Sequence, residues 1–359
     1  MSLAHSTVLL AIQKCLVLRV QTVLEQNCVV ISWSENPEVY APGSCTHAPG
    51  SCELPAKQYN ANTVESLCPS NMPAEEPWTV NRLLTWTRGF FQNKGIEKPQ
   101  LEAEILLAQA MNFKRIELYT AFEKEPTETQ RAAFRDFVKR RGNGEPTAYL
   151  TGHKEFYSLP FQVDKHVLIP RPETEDLVLQ ALDKIKLCEH APTIADVGTG
   201  SGIIAITLAK HLPKHLSATK IIAVDISSEA LDIARRNAAS LGVADRIEFR
   251  QSDLLEIVPE KLDIIVSNPP YVSESEYDAL PTDVKNFEPR GALLAGATGT
   301  EIIERLIPQS AERLQVGGHL LMEISPMIAD AVAKMLQDWN DVQILPDSFG
   351  RQRIVCGVR

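Results

Sequence analysis

Thr193-Ile-Ala-Asp-Val-Gly-Thr-Gly-Ser-Gly202 is the stretch that decides the fold. A short apolar run, Thr193–Val197, reads as a buried strand. Glycines then fall at every second position, 198, 200 and 202, and Gly202–His211 continues as an apolar helical run. Glycines at this junction permit a tight turn and let backbone approach a ligand at the start of the helix. Working outward, the same alternation recurs. Candidate strands are Thr193–Val197, Ile221–Asp225, Ile247–Arg250, Asp263–Ser267, His319–Ile324, Val342–Leu345 and Gln352–Val358, and candidate helices are Gly202–His211, Ser228–Leu241, Thr300–Leu314 and Pro326–Trp339. Strands alternating with helices predict a parallel, doubly wound α/β sheet. The last two strands are joined only by Pro346–Arg351, too short for a crossover helix, so they are expected to pair antiparallel.

Towards the N-terminus the pattern changes. Segments Thr79–Lys94, Gln100–Met111, Arg115–Thr120 and Thr127–Arg141 carry apolar residues at helical spacing, among them Leu101, Ile105, Leu106 and Ala108. Thr127 followed by Gln130 resembles a capping box. Two extended runs, Phe156–Phe161 and Val163–Ile169, read as a hairpin. Pro170-Arg-Pro-Glu-Thr174 then breaks the chain and starts a helix, with Pro172 suited to its first turn. The expected organisation is an extension over 1–75, a helical domain over 76–147, a β-hairpin linker over 148–168 and the α/β domain over 169–359.

A chain of 359 residues with 44% hydrophobic composition is long enough for two or three domains with buried cores. Its net charge of −10 is uneven: residues 77–168 carry 14 Lys/Arg against 11 Asp/Glu, whereas 169–359 carry 19 against 28. An acidic α/β piece is a poor match for duplex DNA, because phosphate neutralisation supplies most non-specific affinity. The basic run Arg135, Lys139, Arg140, Arg141 is compatible with RNA or an acidic partner, but such a run is more often a solvated helix face. Five of seven cysteines (Cys15, Cys28, Cys45, Cys52, Cys68) lie in the first 68 residues; Cys188 and Cys356 are the others, a usage that fits a reducing compartment. Cys45 and Cys52 come from a repeated Ala-Pro-Gly-Ser-Cys with His47 between them, without the C-x2-C spacing of a metal knuckle, so no metal is expected. No apolar run reaches the 18 or so residues that span a membrane. Thr7–Val20, broken by Gln13, Lys14 and Arg19, reads either as a weak targeting segment or as part of a disordered extension upstream of a start at Met72.

The candidate site residues sit where strands end. Asp196, Gly198, Thr199, Gly200, Ser201 and Gly202 form the first loop. A dinucleotide fingerprint would need glycine at 203, where the chain has Ile203; the G-x-G-x-G form instead resembles a loop that holds S-adenosylmethionine. Asp225 ends the second strand, where a carboxylate can accept both ribose hydroxyls. Asp253, after the third, is placed to accept from an adenine amino group with Leu254 against the base. Each aspartate alone could equally be a helix N-cap or a turn residue; together, at consecutive strand ends, they favour cofactor binding. Asn268-Pro269-Pro270-Tyr271 follows the fourth strand. Proline has no N–H and a fixed φ, so this turn offers carbonyl oxygens beside the Asn268 carboxamide, a rigid set of acceptors for an –NH2 group, with Tyr271 as a flat wall. A plain proline-terminated strand end is the alternative reading.

Asp196–Gly202, Asp225, Asp253 and Asn268–Tyr271 together resemble class I S-adenosylmethionine-dependent methyltransferases that methylate amino groups. Tyr149-Leu-Thr-Gly152, Glu155-Phe156, Val167–Glu175, Glu288-Pro289 with Ala292-Leu293, and Met322-Glu323 resemble the HemK/PrmC family more specifically, over about Trp78 to Arg359. The resemblance implies a seven-stranded class I methyltransferase (Rossmann-like) sheet behind a small helical domain that helps bind the substrate protein. It also implies transfer of a methyl group to the side-chain nitrogen (N5) of glutamine in the Gly-Gly-Gln motif of class I peptide chain release factors, modulating translation termination.

For that chemistry, Asn268 and the Pro269 carbonyl are expected to accept from both amide protons, with Pro270 and Tyr271 completing the substrate turn, Arg171 and Glu173 shaping the channel, and Asn268 also adjoining the cofactor. Arg171 and Glu173 read equally well as a structural ion pair or helix-start residues. A monomer in the cytoplasm, without DNA or membrane contact, is the expected setting. Two rivals remain: an N6-adenine nucleic-acid methyltransferase, which would share the Asn-Pro-Pro-Tyr turn, and a non-catalytic S-adenosylmethionine-binding scaffold, which would not need it.

Overall fold

The computed structural model describes residues 77–359. The extension over 1–75, its five cysteines and the Thr7–Val20 stretch therefore lie outside the described residues, and the described residues belong to one compact unit.

The helical part contains α1 (Val80–Asn93), α2 (Pro99–Met111), α3 (Arg115–Thr120), α4 (Glu128–Gly142) and the short α5 (Thr147–Thr151). The capping box at α4 is present: Thr127 accepts from the Gln130 N–H at 3.3 Å and Gln130 Oε1 accepts from the Thr127 N–H at 2.9 Å. Leu84, Phe91, Leu106, Leu107, Phe134 and Val138 close a core of their own. Arg141, nearly buried, donates to Glu102 across that core and lies 3.8 Å from Asp283 on the α/β side.

A hairpin follows, but not with the expected strands. It is formed by β1 (His153–Phe156) and β2 (Leu159–Gln162), so the run from Phe156 to Phe161 folds back on itself. Tyr157 and Ser158, at φ 51° and 58°, make the two-residue turn; both lie in the left-handed region, the conformation whose twist matches the right-handed twist of the flanking strands. No strand forms over Val163–Ile169, whose Val163 and Val167 pack instead against Ala230 and Ile233. The alternating apolar pattern there serves packing rather than pairing.

The α/β part comprises α6 (Glu173–Lys186), β3 (Thr193–Val197), α7 (Ile203–His211), β4 (Lys220–Asp225), α8 (Ser228–Ser240), β5 (Ile247–Gln251), β6 (Leu262–Ser267), β7 (Val272–Ser273), α9 (Glu274–Ala279), α10 (Thr282–Phe287), β8 (Leu294–Gly296), α11 (Glu301–Arg313), β9 (Leu314–Glu323), α12 (Ala329–Met335), β10 (Asn340–Pro346) and β11 (Gln352–Val358). Seven strands form one sheet in the order β10-β11-β9-β6-β3-β4-β5. β3, β4, β5, β6 and β9 run parallel, and β11 is antiparallel to both β9 and β10, as the short last link requires. Both faces are covered. Ile221 and Ala223 point into one core with Ile264 and Val266, while Ile222 and Val224 point into the other with Ile265, the period-2 alternation of a sheet buried on both sides. α6 begins with Glu173, Glu175 and Asp176 and ends with Lys184 and Lys186, complementing its dipole, and buries Leu177, Val178, Ala181, Leu182 and Ile185.

Two features were not expected. The segment after the Asn-Pro-Pro-Tyr turn builds α9, α10 and the small parallel pair β7–β8. The helix expected over Pro326–Trp339 is a 3-10 turn over Pro326–Ile328 followed by the shorter α12.

Candidate active site

The chain leaves β3 at the centre of the sheet, builds β4 and β5 on one side, and then returns to place β6 on the other. The strand order therefore reverses between β3 and β6, and in open α/β sheets such a reversal leaves a crevice at the carboxyl ends of the strands. Here the crevice is a cavity of about 640 Å³, within the range of small-molecule sites. Gly198, Thr199, Gly200, Asp225, Asp253 and Asn268 all border it.

The glycine loop is held from below. Gly198 and Thr199 donate to the Val224 carbonyl at 2.9 Å, and Gly200 donates to Asp225 Oδ2 at 2.8 Å. Gly202, at φ 85°, would drive a Cβ to 2.7 Å from Ile206 and 3.2 Å from Ala234, so its role is close packing of α7 on α8. Ser201 reaches the cavity, and its carbonyl accepts from Asn237 at 2.8 Å. Asp196 lies beneath the loop, fully buried, and does not reach the cavity. One of its oxygens accepts from Thr199 Oγ1 at 2.6 Å and the Ala205 N–H at 3.0 Å; the other makes no hydrogen bond. Burial pushes this carboxyl up to about 7, against the pull of those two donors. Asp196 and Gly202 are thus supports of the loop, not ligand-facing groups as expected.

Asp225 does face the cavity. Its Oδ1 accepts from the Ser227 N–H at 2.9 Å and its Oδ2 from Gly200, which leaves lone pairs on both oxygens for a pair of hydroxyls. Burial raises its pKa and the backbone donors counter that. Asp253 borders the cavity at the next strand end, paired with Arg305 at 2.6 Å. Leu254 follows at φ 50°, a conformation a leucine adopts only when its surroundings enforce it, and lies along the cavity wall. Ile226, 67% exposed beside Asp225, adds a second apolar side chain to the cavity wall that the sequence reading missed; an exposed isoleucine directly after a strand-end aspartate was its only signal. A close-packed glycine turn bordering the cavity, a carboxylate with free lone pairs, and apolar side chains next to a second carboxylate fit the amino-acid end, ribose and adenine of S-adenosylmethionine.

At the far end of the cavity, Asn268 and Pro270 border the space, whereas Pro269 and Tyr271 do not. Asn268 donates through Nδ2 to Thr174 Oγ1 at 3.0 Å. Tyr271 is half-buried and donates to Glu323 Oε1 at 3.0 Å; burial, then the Glu323 charge, hold its phenol well above the usual value. Arg171 borders the cavity and pairs at 2.5 Å with Glu288, whose side chain is 1% exposed and also accepts from the Ile169 N–H. Glu173 is absent from the cavity wall and pairs with Arg351 at 2.9 Å. Arg171 and Glu173 are therefore not partners of one another, and only Arg171 reaches the site. Among the described residues no cluster of metal-ligating side chains occurs.

A seven-stranded sheet in this order, with a glycine loop and an acidic strand end around one crevice, defines the class: an S-adenosylmethionine-dependent methyltransferase. Residues 82–152 match the family model described as the PrmC N-terminal domain, and residues 173–283 match the Methyltransferase small domain. The chain is 53% identical over 290 residues to the release factor glutamine methyltransferase of Rhodopirellula baltica, covering 78% of this chain and 96% of that one. It is 47% identical to the enzyme of the same name from Koribacter versatilis, over 72% and 91% of the two chains. A solved ribosomal protein L11 methylase from Lactobacillus delbrueckii subsp. bulgaricus aligns with 54% of this chain and 81% of its own, at 27% identity and a TM-score of 0.39. The chain belongs to the release factor glutamine methyltransferase family.

Proposed function

We propose that this enzyme methylates the side-chain amide nitrogen (N5) of the glutamine in the Gly-Gly-Gln motif of class I peptide chain release factors. The observation that carries the reading is the orientation of Asn268: its NH2 is engaged by Thr174, so its carbonyl oxygen is the group left for the cavity. S-adenosylmethionine, when bound, supplies an electrophilic methyl whose C–S bond breaks, the pair staying on sulfur, as the substrate nitrogen takes the methyl and sheds one proton to water.

The chain's own residues then have defined tasks. An amide nitrogen is a poor nucleophile because its lone pair is delocalised into the carbonyl. Accepting a bond from an amide proton, by Asn268 Oδ1, favours a pyramidal nitrogen and aims its pair; the Pro269 carbonyl, expected as a second acceptor, does not border the cavity and is left out of this role. Holding it near attack distance supplies much of the rate. Pro270 and Arg171 bound the approach, and Tyr271 supports the turn from behind. Asp225 and Asp253, with the loop Gly198–Ser201, hold the cofactor. Residues 76–147, whose described part carries its own core, are assigned to docking the release factor. The excess of acidic residues over 169–359 disfavours a DNA substrate. A cytoplasmic monomer is the setting this reading favours; among the described residues no helix is long and apolar enough to cross a membrane.

The test is incubation with methyl-labelled S-adenosylmethionine and, in parallel, a release factor, the same factor with its Gly-Gly-Gln glutamine changed to alanine, and DNA. Label is expected on the unaltered release factor alone; label on adenine would overturn the reading. Asn268→Ala should lower transfer by about 10²-fold or more while leaving cofactor affinity within several-fold, as expected for lost positioning.

A further inference from the structure

Behind Asn268 lies a hydrogen-bond chain built from groups that border no part of the cavity except through Thr174. Thr174, on the first turn of α6, is fully buried, and Glu323, the last residue of β9, is 1% exposed. Thr174 Oγ1 donates to Glu323 Oε2 at 2.7 Å. Glu323 Oε1 accepts from Tyr271 at 3.0 Å, and the Arg353 guanidinium stands 4.0 Å from the same oxygen and 3.4 Å from the Tyr271 hydroxyl. Arg353 is held in turn by Asp347 at 3.3 Å.

The polarity of this chain follows from proton counting. Burial raises the Glu323 pKa, while the Thr174 and Tyr271 hydroxyls and the Arg353 charge counter it; in its carboxylate form it has lone pairs and no donor, so the hydroxyls facing it donate. Threonine has one hydroxyl proton, and Glu323 takes it. Towards Asn268 the Thr174 oxygen can then only accept, so it selects the NH2 end of the carboxamide and rejects the carbonyl end. Reversal would put two acceptors, Asn268 Oδ1 and Thr174 Oγ1, face to face in a buried setting and would present an NH2 to the substrate's own NH2. Burying a carboxylate is costly, and packed apolar residues in its place would commonly be as stable or more so. A purely structural role accounts poorly for that choice.

We propose that Thr174 and Glu323 are positioning residues whose hydrogen-bond chain turns the Asn268 carbonyl oxygen into the cavity, making the site accept an N–H rather than donate to an oxygen. This rests on Asn268 being the acceptor for the substrate amide. Glu323 also anchors Tyr271, so one carboxylate fixes both ends of the Asn-Pro-Pro-Tyr turn. The consequence is selectivity for nitrogen: an acceptor pointing inward engages the amide protons, whereas a donor would engage the amide oxygen, the more nucleophilic atom of a resting amide.

The test uses the full chain with S-adenosylmethionine and a release factor. Thr174→Val keeps the shape of the side chain and removes the hydroxyl; Thr174→Ser keeps the hydroxyl; Glu323→Gln replaces the obligate acceptor by a group that can also donate. Cofactor titration by calorimetry counts the binding-competent sites, so each kcat refers to folded enzyme even where a variant is less stable. Thr174→Val is expected to lower kcat by about 10²-fold with cofactor affinity and release-factor KM within about threefold, Glu323→Gln by at least about tenfold, and Thr174→Ser to return kcat to within about threefold of the parent. Thr174→Val with an unchanged kcat, or Thr174→Ser as impaired as Thr174→Val, overturns the proposal. Asn268→Ala separates the two claims: an inactive Asn268→Ala beside a fully active Thr174→Val defeats only the positioning role, whereas a fully active Asn268→Ala defeats the acceptor reading and the positioning role with it.

Discussion

Asp196 shows how one side chain supports a ligand loop without touching the ligand. In the unfolded chain an aspartate titrates near 3.9, whereas burial holds this one up to about 7 in the folded state. The fold thus favours its protonated form. Its contribution to stability is full below about pH 4 and is lost as pH rises towards about 7. Urea unfolding midpoints should fall across that window, and the fall should be smaller in Asp196→Asn; an identical slope in the two proteins would refute this. The position of Asp196 at the strand end was legible in the sequence, but its direction was not. Strand ends carry both ligand-facing and core-facing carboxylates, and only the Thr199 and Ala205 donors decide which this one is. Asp225, one strand over, shows the other outcome.

Between elements, the hairpin and the glycine loop are coupled by a single buried asparagine. Asn237 on α8 accepts from the Gln162 N–H at 2.7 Å and donates to the Gln162 carbonyl at 3.0 Å and the Ser201 carbonyl at 2.8 Å. Asn237→Ala leaves these backbone groups unpaired in a dry setting, so a loss of about 2–3 kcal/mol in unfolding free energy is expected by denaturant titration. Cofactor affinity should weaken with it, because Ser201 belongs to the loop. The sequence reading placed the central strands and helices within a few residues, since their apolar periods are strong. It missed the hairpin register because Tyr157 and Ser158 lack the Asn-Gly signature of such turns and adopt positive φ under tertiary constraint. It missed α9 and α10 because they are six residues each and bury no side chain fully, so no apolar stripe marks them.

Across the molecule, Arg141 links the helical part to the α/β part. It donates to Glu102 on α2, sits 3.8 Å from Asp283 on α10, and is itself only 8% exposed. Arg141→Ala should cost about 2–3 kcal/mol in unfolding free energy, less than a fully buried pair because the Glu102 side chain is 21% exposed and can rehydrate. A change below about 0.5 kcal/mol would mean the ion pair is incidental. In the basic run that contains it, Arg140 and Arg141 are thus engaged internally, with Glu145 and Glu102, while Arg135 stays three-quarters exposed. The sequence by itself determined the doubly wound sheet, the antiparallel last pair, the glycine loop and the acceptor-rich turn, because each is written in local periods and in the fixed chemistry of glycine and proline. Only the tertiary structure decided which carboxylates face the cavity and which way Asn268 points. The hydroxyl that orients Asn268 lies 94 residues away in the chain, and the carboxylate that orients that hydroxyl lies 149 residues from it. No local pattern encodes a hydrogen-bond direction set by groups that meet only once the sheet has formed.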